Sequence, residues 1–151
     1  MADEEALIAE FLYSKLNVSS VTTALGGFAR IYDTEVPQNP LTGDTVLYPC
    51  VVYQLQSAID TYGVGGVRIF VRPIWTVKVI VDDQTYKQAG VIFSKVDAAI
   101  QNQHSTVTNG EVYSCTRESD GIRYPEPKLG GGYYRHRGAM YRIEARATVT
   151  P

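Results

Sequence analysis

The sequence predicts an α+β fold: an antiparallel or mixed β-sheet with a long β-hairpin, packed against two main helices, in the order α-β-β-β-α-β-β. Three observations predict it. Apolar residues recur at helical spacing in two long stretches, around residues 7–16 and 86–100. Elsewhere β-branched and aromatic residues alternate with polar ones, the period of half-buried strands. Strands and helices do not alternate along the chain, so a parallel sheet of crossover units is not expected.

The first helix follows Asp3, a suitable N-cap, with Glu4 and Glu5 favourable in its first turn. Leu7, Ile8, Phe11, Leu12 and Leu16 form its apolar stripe, and Asn17 ends it. A short helical piece from Ser19 to Leu25 closes at Gly26-Gly27. Phe28 to Val36 reads as a short strand stopped by Pro37, and 37–46 as a loop by its turn chemistry. Leu47 to Gln56 is a strand with Pro49 near its start, since proline cannot donate to a ladder. After a glycine-rich loop at 57–66, alternation resumes from Val67 to Val81, with a bulge expected at Pro73. These two strands make the long antiparallel hairpin.

Asp82-Asp83 is read as the cap of a second helix, Gln84 to Gln101, with Tyr86, Ala89, Phe93, Val96 and Ile100 on one face. Gly90 inside that helix suggests close packing against the sheet, because glycine otherwise costs about 1 kcal/mol relative to alanine there. Asn102 to Asn109 is a polar connection and Glu111 to Arg117 a strand. Residues 118–132 have no period and several Pro and Gly, and read as a long loop. Tyr133 to Val149 is the final strand, with Ala139, Tyr141, Ile143 and Ala145 on one face. The whole, 1–151, is expected to be one domain with flexible loops at about 37–46, 57–66 and 118–132.

Composition narrows the chemistry. Apolar residues make up 44% and charged residues 20%, too apolar for a disordered chain. No apolar run reaches the ~20 residues of a membrane-spanning helix, and the acidic opening does not suit a signal peptide. Cys50 and Cys115 lack metal-site spacing and are expected buried and reduced. His104 and His136 have no nucleophile motif beside them. Gly130-Gly131-Gly132 follows a lysine and precedes a strand, so it is not a phosphate cradle. No enzymatic activity, metal or cofactor is therefore expected.

Tyrosine dominates the aromatics, 11 against 4 Phe and 1 Trp. Tyr and Arg cluster near the C-terminus, and both are enriched at protein interfaces. The residues expected at an interface are Tyr62, Arg68, Arg72, Arg123, Tyr133, Tyr134, Arg135 and Arg137. Net charge is −2, but residues 1–66 carry −6 and residues 112–151 carry +3. Such polarity suits head-to-tail packing of identical subunits. A nucleic-acid module built on the same Tyr/Arg cluster is the weaker reading, because the chain is acidic overall.

Four stretches resemble one family when taken in order: ALIAEFLYSKL; RIYDTEVPQNP leading into YPCVVYQLQ; WTVKVIVDDQTYKQAGVIFSKVDAAI; and GGGYYRHRGAMYRIEA. Together they resemble the tail terminator, or tail-completion, proteins of long-tailed bacteriophages, over most of the chain. That resemblance implies a virion protein assembled in the host cytoplasm as a ring, typically a hexamer. Such a ring caps the head-proximal end of the tail tube, stops its polymerisation and joins the neck. It implies as partners the chain itself, the tube protein and neck connectors, with DNA passing through the lumen and no membrane. Another neck component, a head-completion or head–tail joining protein, is the close alternative.

Overall fold

The computed structural model describes residues 4–58, 60–62, 64–66 and 68–148; for 60–62 and 68–71 it describes the backbone alone. The order is α1 (Glu4–Leu16), α2 (Ser19–Ala24), β1 (Ile31–Asp33), β2 (Cys50–Ser57), β3 (Asp60–Tyr62), β4 (Arg68–Val71), β5 (Ile74–Val81), α3 (Lys87–Ile100), β6 (Ser105–Val107), β7 (Gly110–Pro127) and β8 (Tyr133–Ala147). All the strands belong to one mixed sheet, and its parallel pair is β1 with β2.

The expected hairpin is present. β2 pairs antiparallel with β5 from Cys50↔Ile80 to Ser57↔Ile74, and β3 pairs with β4 beyond it. β4 and β5 run end to end along β8, at Val71↔Ala145 and Ile74↔Arg142, interrupted at Arg72-Pro73. There the Ile143 N–H donates to the Pro73 carbonyl (3.0 Å) and keeps the track closed across the break. A second, longer hairpin, β7–β8, was not expected. Residues 118–127 are strand rather than loop, paired with β8 from Ser119↔Met140 to Pro127↔Tyr133.

One sheet face takes the helices. All five apolar positions of the α1 stripe are buried, together with Ala89, Ile92, Phe93, Val96 and Ile100 of α3. They meet Val51, Tyr53, Trp75, Val77, Val79, Tyr141, Ile143 and Cys115 from the strands. Each fully buried side chain contributes about 1.5–3 kcal/mol. Two strands approach so closely that a Cβ on Gly138 would lie 2.4 Å from the Val77 carbonyl oxygen. On the other face a smaller cluster, Tyr32, Cys50, Val52 and Ile80, is covered by Val36, Leu41, Tyr48 and Tyr134.

Several expectations need correction. The strand read at Phe28–Val36 is only Ile31–Asp33. α3 starts at Lys87, with Tyr86 at its N-cap, so Asp82-Asp83 lies upstream and does not cap it. Asp83 instead accepts from the Gln84 N–H (2.7 Å), a local turn that competes with helix. Gly90 is exposed, and a Cβ there would meet nothing within 4 Å. The polar connection 102–109 holds β6, folded back on β7 through a tight turn with Asn109 at φ 65°. The loop 57–66 contains β3.

β7 lies at a sheet edge beyond Val112, where β6 stops pairing with it. Its register against β8 shifts three times, at Val112/Ser114, Arg117/Ser119 and Ser119/Ile122. Pro125 and Pro127, two residues apart, remove backbone donors from one side of the strand. Pairing with β8 continues through both, so the side stripped of donors is the outer one.

Candidate assembly surface

Five of the eight Tyr/Arg residues picked out in the sequence, Arg123, Tyr133, Tyr134, Arg135 and Arg137, lie on the β7–β8 hairpin near its turn. Arg123 and Arg137 are cross-strand partners, as are Pro125 with Arg135, Glu126 with Tyr134 and Pro127 with Tyr133. Alternation then sorts their side chains onto the two sheet faces.

On the helix face the arginines extend the core. The Arg123 guanidinium lies over the Tyr86 ring at 4.3 Å, and Arg135 lies over the same ring at 5.7 Å and over Tyr133 at 6.0 Å. Arg135 also donates through Nη1 to the Asp83 carbonyl. Arg137 lies over Phe93 at 4.6 Å, donates to the Gly138 carbonyl (2.8 Å) and pairs with Asp120 (2.7 Å). Their guanidinium groups lie against aromatic rings, and of the three Arg137 also reaches a carboxylate.

On the opposite face Tyr134 stacks on Tyr48, centroids 4.4 Å apart, and lies 5.3 Å beneath the Lys128 ammonium. His136 is buried, stacked on Tyr124 at 4.3 Å, with Nε2 2.7 Å from Glu126. Burial pushes its pKa below the ordinary value, Glu126 acts in the opposite direction through its hydrogen bond, and Lys78 adds to the lowering. Lys78 donates to the Tyr124 hydroxyl (3.0 Å).

Arg72 lies away from this end and pairs with Glu144 (3.2 Å). The side chains of Tyr62 and Arg68 lie outside the described residues. The basic excess of the last third does not form a bare face. Arg142 forks onto Glu118 (2.6 and 2.8 Å), and Arg117 meets Asp97 (3.4 Å) and Asp120 (3.9 Å).

The thiols are not poised for chemistry. Cys50 and Cys115 are buried and free, and desolvation pushes both pKa values up to about 12. His104 is exposed in the connection after α3, away from His136 on β8. Among the described residues no three His, Cys, Asp or Glu side chains gather as metal ligands.

Sequence reasoning missed three parts of this region. Leu129 caps the hairpin turn and is fully exposed. Its signal was available: a leucine set between Lys128 and three glycines. Lys128 reaches back to Asp82 (2.6 Å), across the sheet. Arg30 and Asp44 form a nearly inaccessible ion pair that ties the 37–46 segment down over the second cluster.

This fold has a solved counterpart. A chain of the virion of a native gene transfer agent particle superposes with a TM-score of 0.61, at 17% identity, over 88% of this chain and 91% of that one. No family model matches the sequence, and no curated protein matches it. At that identity the likeness concerns the fold: both chains share this arrangement over nearly their whole lengths.

Proposed function

We propose that the chain is a structural virion subunit of a phage-like particle, of the tail-terminator kind. It forms a ring, a hexamer, that caps the head-proximal end of the tail tube, stops tube growth and presents the surface that joins the neck. The observation that carries this reading is the fold likeness, nearly end to end, to a chain of a gene transfer agent virion. The four-stretch resemblance to tail terminators supports the finer role. The ring would close through heterologous contacts, each subunit using two different surfaces. Its partners are further copies of itself, the tube protein and the neck connectors.

The test is mass in solution, followed by localisation on isolated headless tails. A ring mass and labelling of one tail end are expected. A chain that binds no tube end and leaves tube length unchanged overturns the terminator role. A chain that leaves with the capsid when heads and tails are separated belongs to the neck instead.

A further inference from the structure

The arginines differ in how their charge is met. Arg30, Arg72, Arg117, Arg137 and Arg142 each pair with a carboxylate. Arg123 and Arg135 pair with none among the described residues, yet both guanidinium groups lie over the same Tyr86 ring. The acids of the adjoining β5–α3 connection are already engaged. Asp82 pairs with Lys128 (2.6 Å), and the Asp83 carboxylate accepts from the Gln84 N–H (2.7 Å). Arg135 is anchored through one Nη to the Asp83 carbonyl, which leaves its other donors free, and Arg123 is exposed. Tyr86 is the N-cap of α3, whose first turn holds no acidic residue. The positive end of that helix therefore adds to the two guanidinium charges and does not cancel them. Beside them opens a cleft of about 480 Å³ walled by Gln84, Lys128, Tyr133 and Arg135, with the Tyr133 ring half exposed.

We propose that Arg123, Arg135 and this cleft bind an acidic protein segment, whose carboxylates take the two free guanidinium forks. Three features select that ligand. A guanidinium held flat against a ring keeps its fork in a fixed plane, which suits bidentate pairing with a planar carboxylate. The Tyr86 and Tyr133 rings give the stems of Asp or Glu side chains apolar surface to lie on. The positive field is also short: it ends at Asp82 beside Lys128 and at Asp120 beside Arg137. A nucleic-acid duplex carries one charge per ~1.7 Å of its axis, so its backbone would run on past the two arginines into these carboxylates. A few acidic side chains fit inside those bounds. The site belongs to the single chain and does not rest on the ring reading.

Calorimetric titration of the purified chain with a short polyglutamate peptide at low salt tests it. The native chain should bind the peptide, and Arg123→Gln should weaken binding by about tenfold, the loss of one charge-assisted fork. Arg123 is exposed, so that variant should keep a thermal midpoint near the native one. Arg135→Gln should weaken binding as well. Arg146→Gln is the control: it removes the same charge from an exposed arginine at the far end of β8 and should leave binding unchanged. A DNA duplex of equal charge should bind more weakly than the peptide. No binding of the peptide by the native chain overturns the proposal, and so does an equal loss in Arg123→Gln and Arg146→Gln, which would show only the field of the whole chain. DNA bound more tightly than the peptide, and lost in Arg123→Gln, would make this a nucleic-acid site and also overturn it. None of these outcomes bears on the ring, which is tested by mass and by position on the tail.

Discussion

Arg30 and Asp44 face each other through two hydrogen bonds, Nε to Oδ2 at 2.5 Å and Nη2 to Oδ1 at 2.8 Å, with side chains 5% and 2% exposed. The arginine also donates to the carbonyls of Leu25 (2.5 Å) and Tyr48 (3.3 Å), and Asp44 accepts from the backbone of Thr45 (2.8 Å). One pair thus joins the end of α2, the 37–46 segment and the entry to β2. Removing one partner leaves a buried charge alone, which is worse than removing both. Asp44→Leu should therefore lower the thermal midpoint more than the double change Arg30→Met with Asp44→Leu. Equal losses would show that the pair is not coupled.

The same aspartate gives an acid limit. Arg30, with help from the Val46 and Thr45 N–H groups, holds its carboxyl at about 2, below the ordinary range. The unfolded chain takes up that proton first as pH falls. The contribution is whole above pH ~4 and is lost as pH falls towards 2. Urea midpoints measured from pH 5 to pH 2 should fall less steeply in the double variant than in the native chain.

His136 acts in a higher window. Its pKa is lowered in the fold, so the unfolded chain binds the proton first and stability falls as pH drops below ~6.5. Urea midpoints at pH 7.5 and 5.5 should differ in the native chain and converge in His136→Gln. A native chain equally stable at both pH values contradicts the buried, neutral imidazole.

Two glycines should respond in opposite directions. Gly90 is helical and open to solvent, so Gly90→Ala should stabilise by about 1 kcal/mol. Gly138→Ala drives a methyl group into the β5 backbone and should cost about 1–3 kcal/mol or more. Chemical denaturation of both variants checks this directly.

Arginine reversal separates folding from assembly. Arg137→Glu would lose Asp120 and the Phe93 ring and set a carboxylate against a carboxylate. It should destabilise the isolated chain by about 1–3 kcal/mol. An Arg137→Glu chain of native stability that fails only in assembly would make this residue an interface group alone.

How much of this was legible depends on what each element buries. The α1 stripe and the alternation in β8 were plain, because one face of each is core and the other is wet. The outer half of β7 was hidden for the converse reason. From Arg117 to Pro127 only Ile122 is half-buried, so backbone pairing forms the strand without an apolar pattern to announce it. Register shifts and two prolines obscured it further. At the candidate surface the Tyr and Arg residue types were visible, but their partners were not. Arg135 finds Asp83 and Tyr86, some 50 positions earlier, only because β5 and β8 are neighbours. Arg30 and Asp44 gave no signal, each being a lone charge in an otherwise unremarkable stretch.

The prolines at 125 and 127 have a consequence for the chain before it meets any partner. A long, bare strand edge is a template on which unassembled copies could stack into fibres. Stripping donors from the outer side of β7, and breaking its register three times, blocks that route. The outer half of β7 therefore offers another copy of the chain no regular row of backbone donors on which to add a strand.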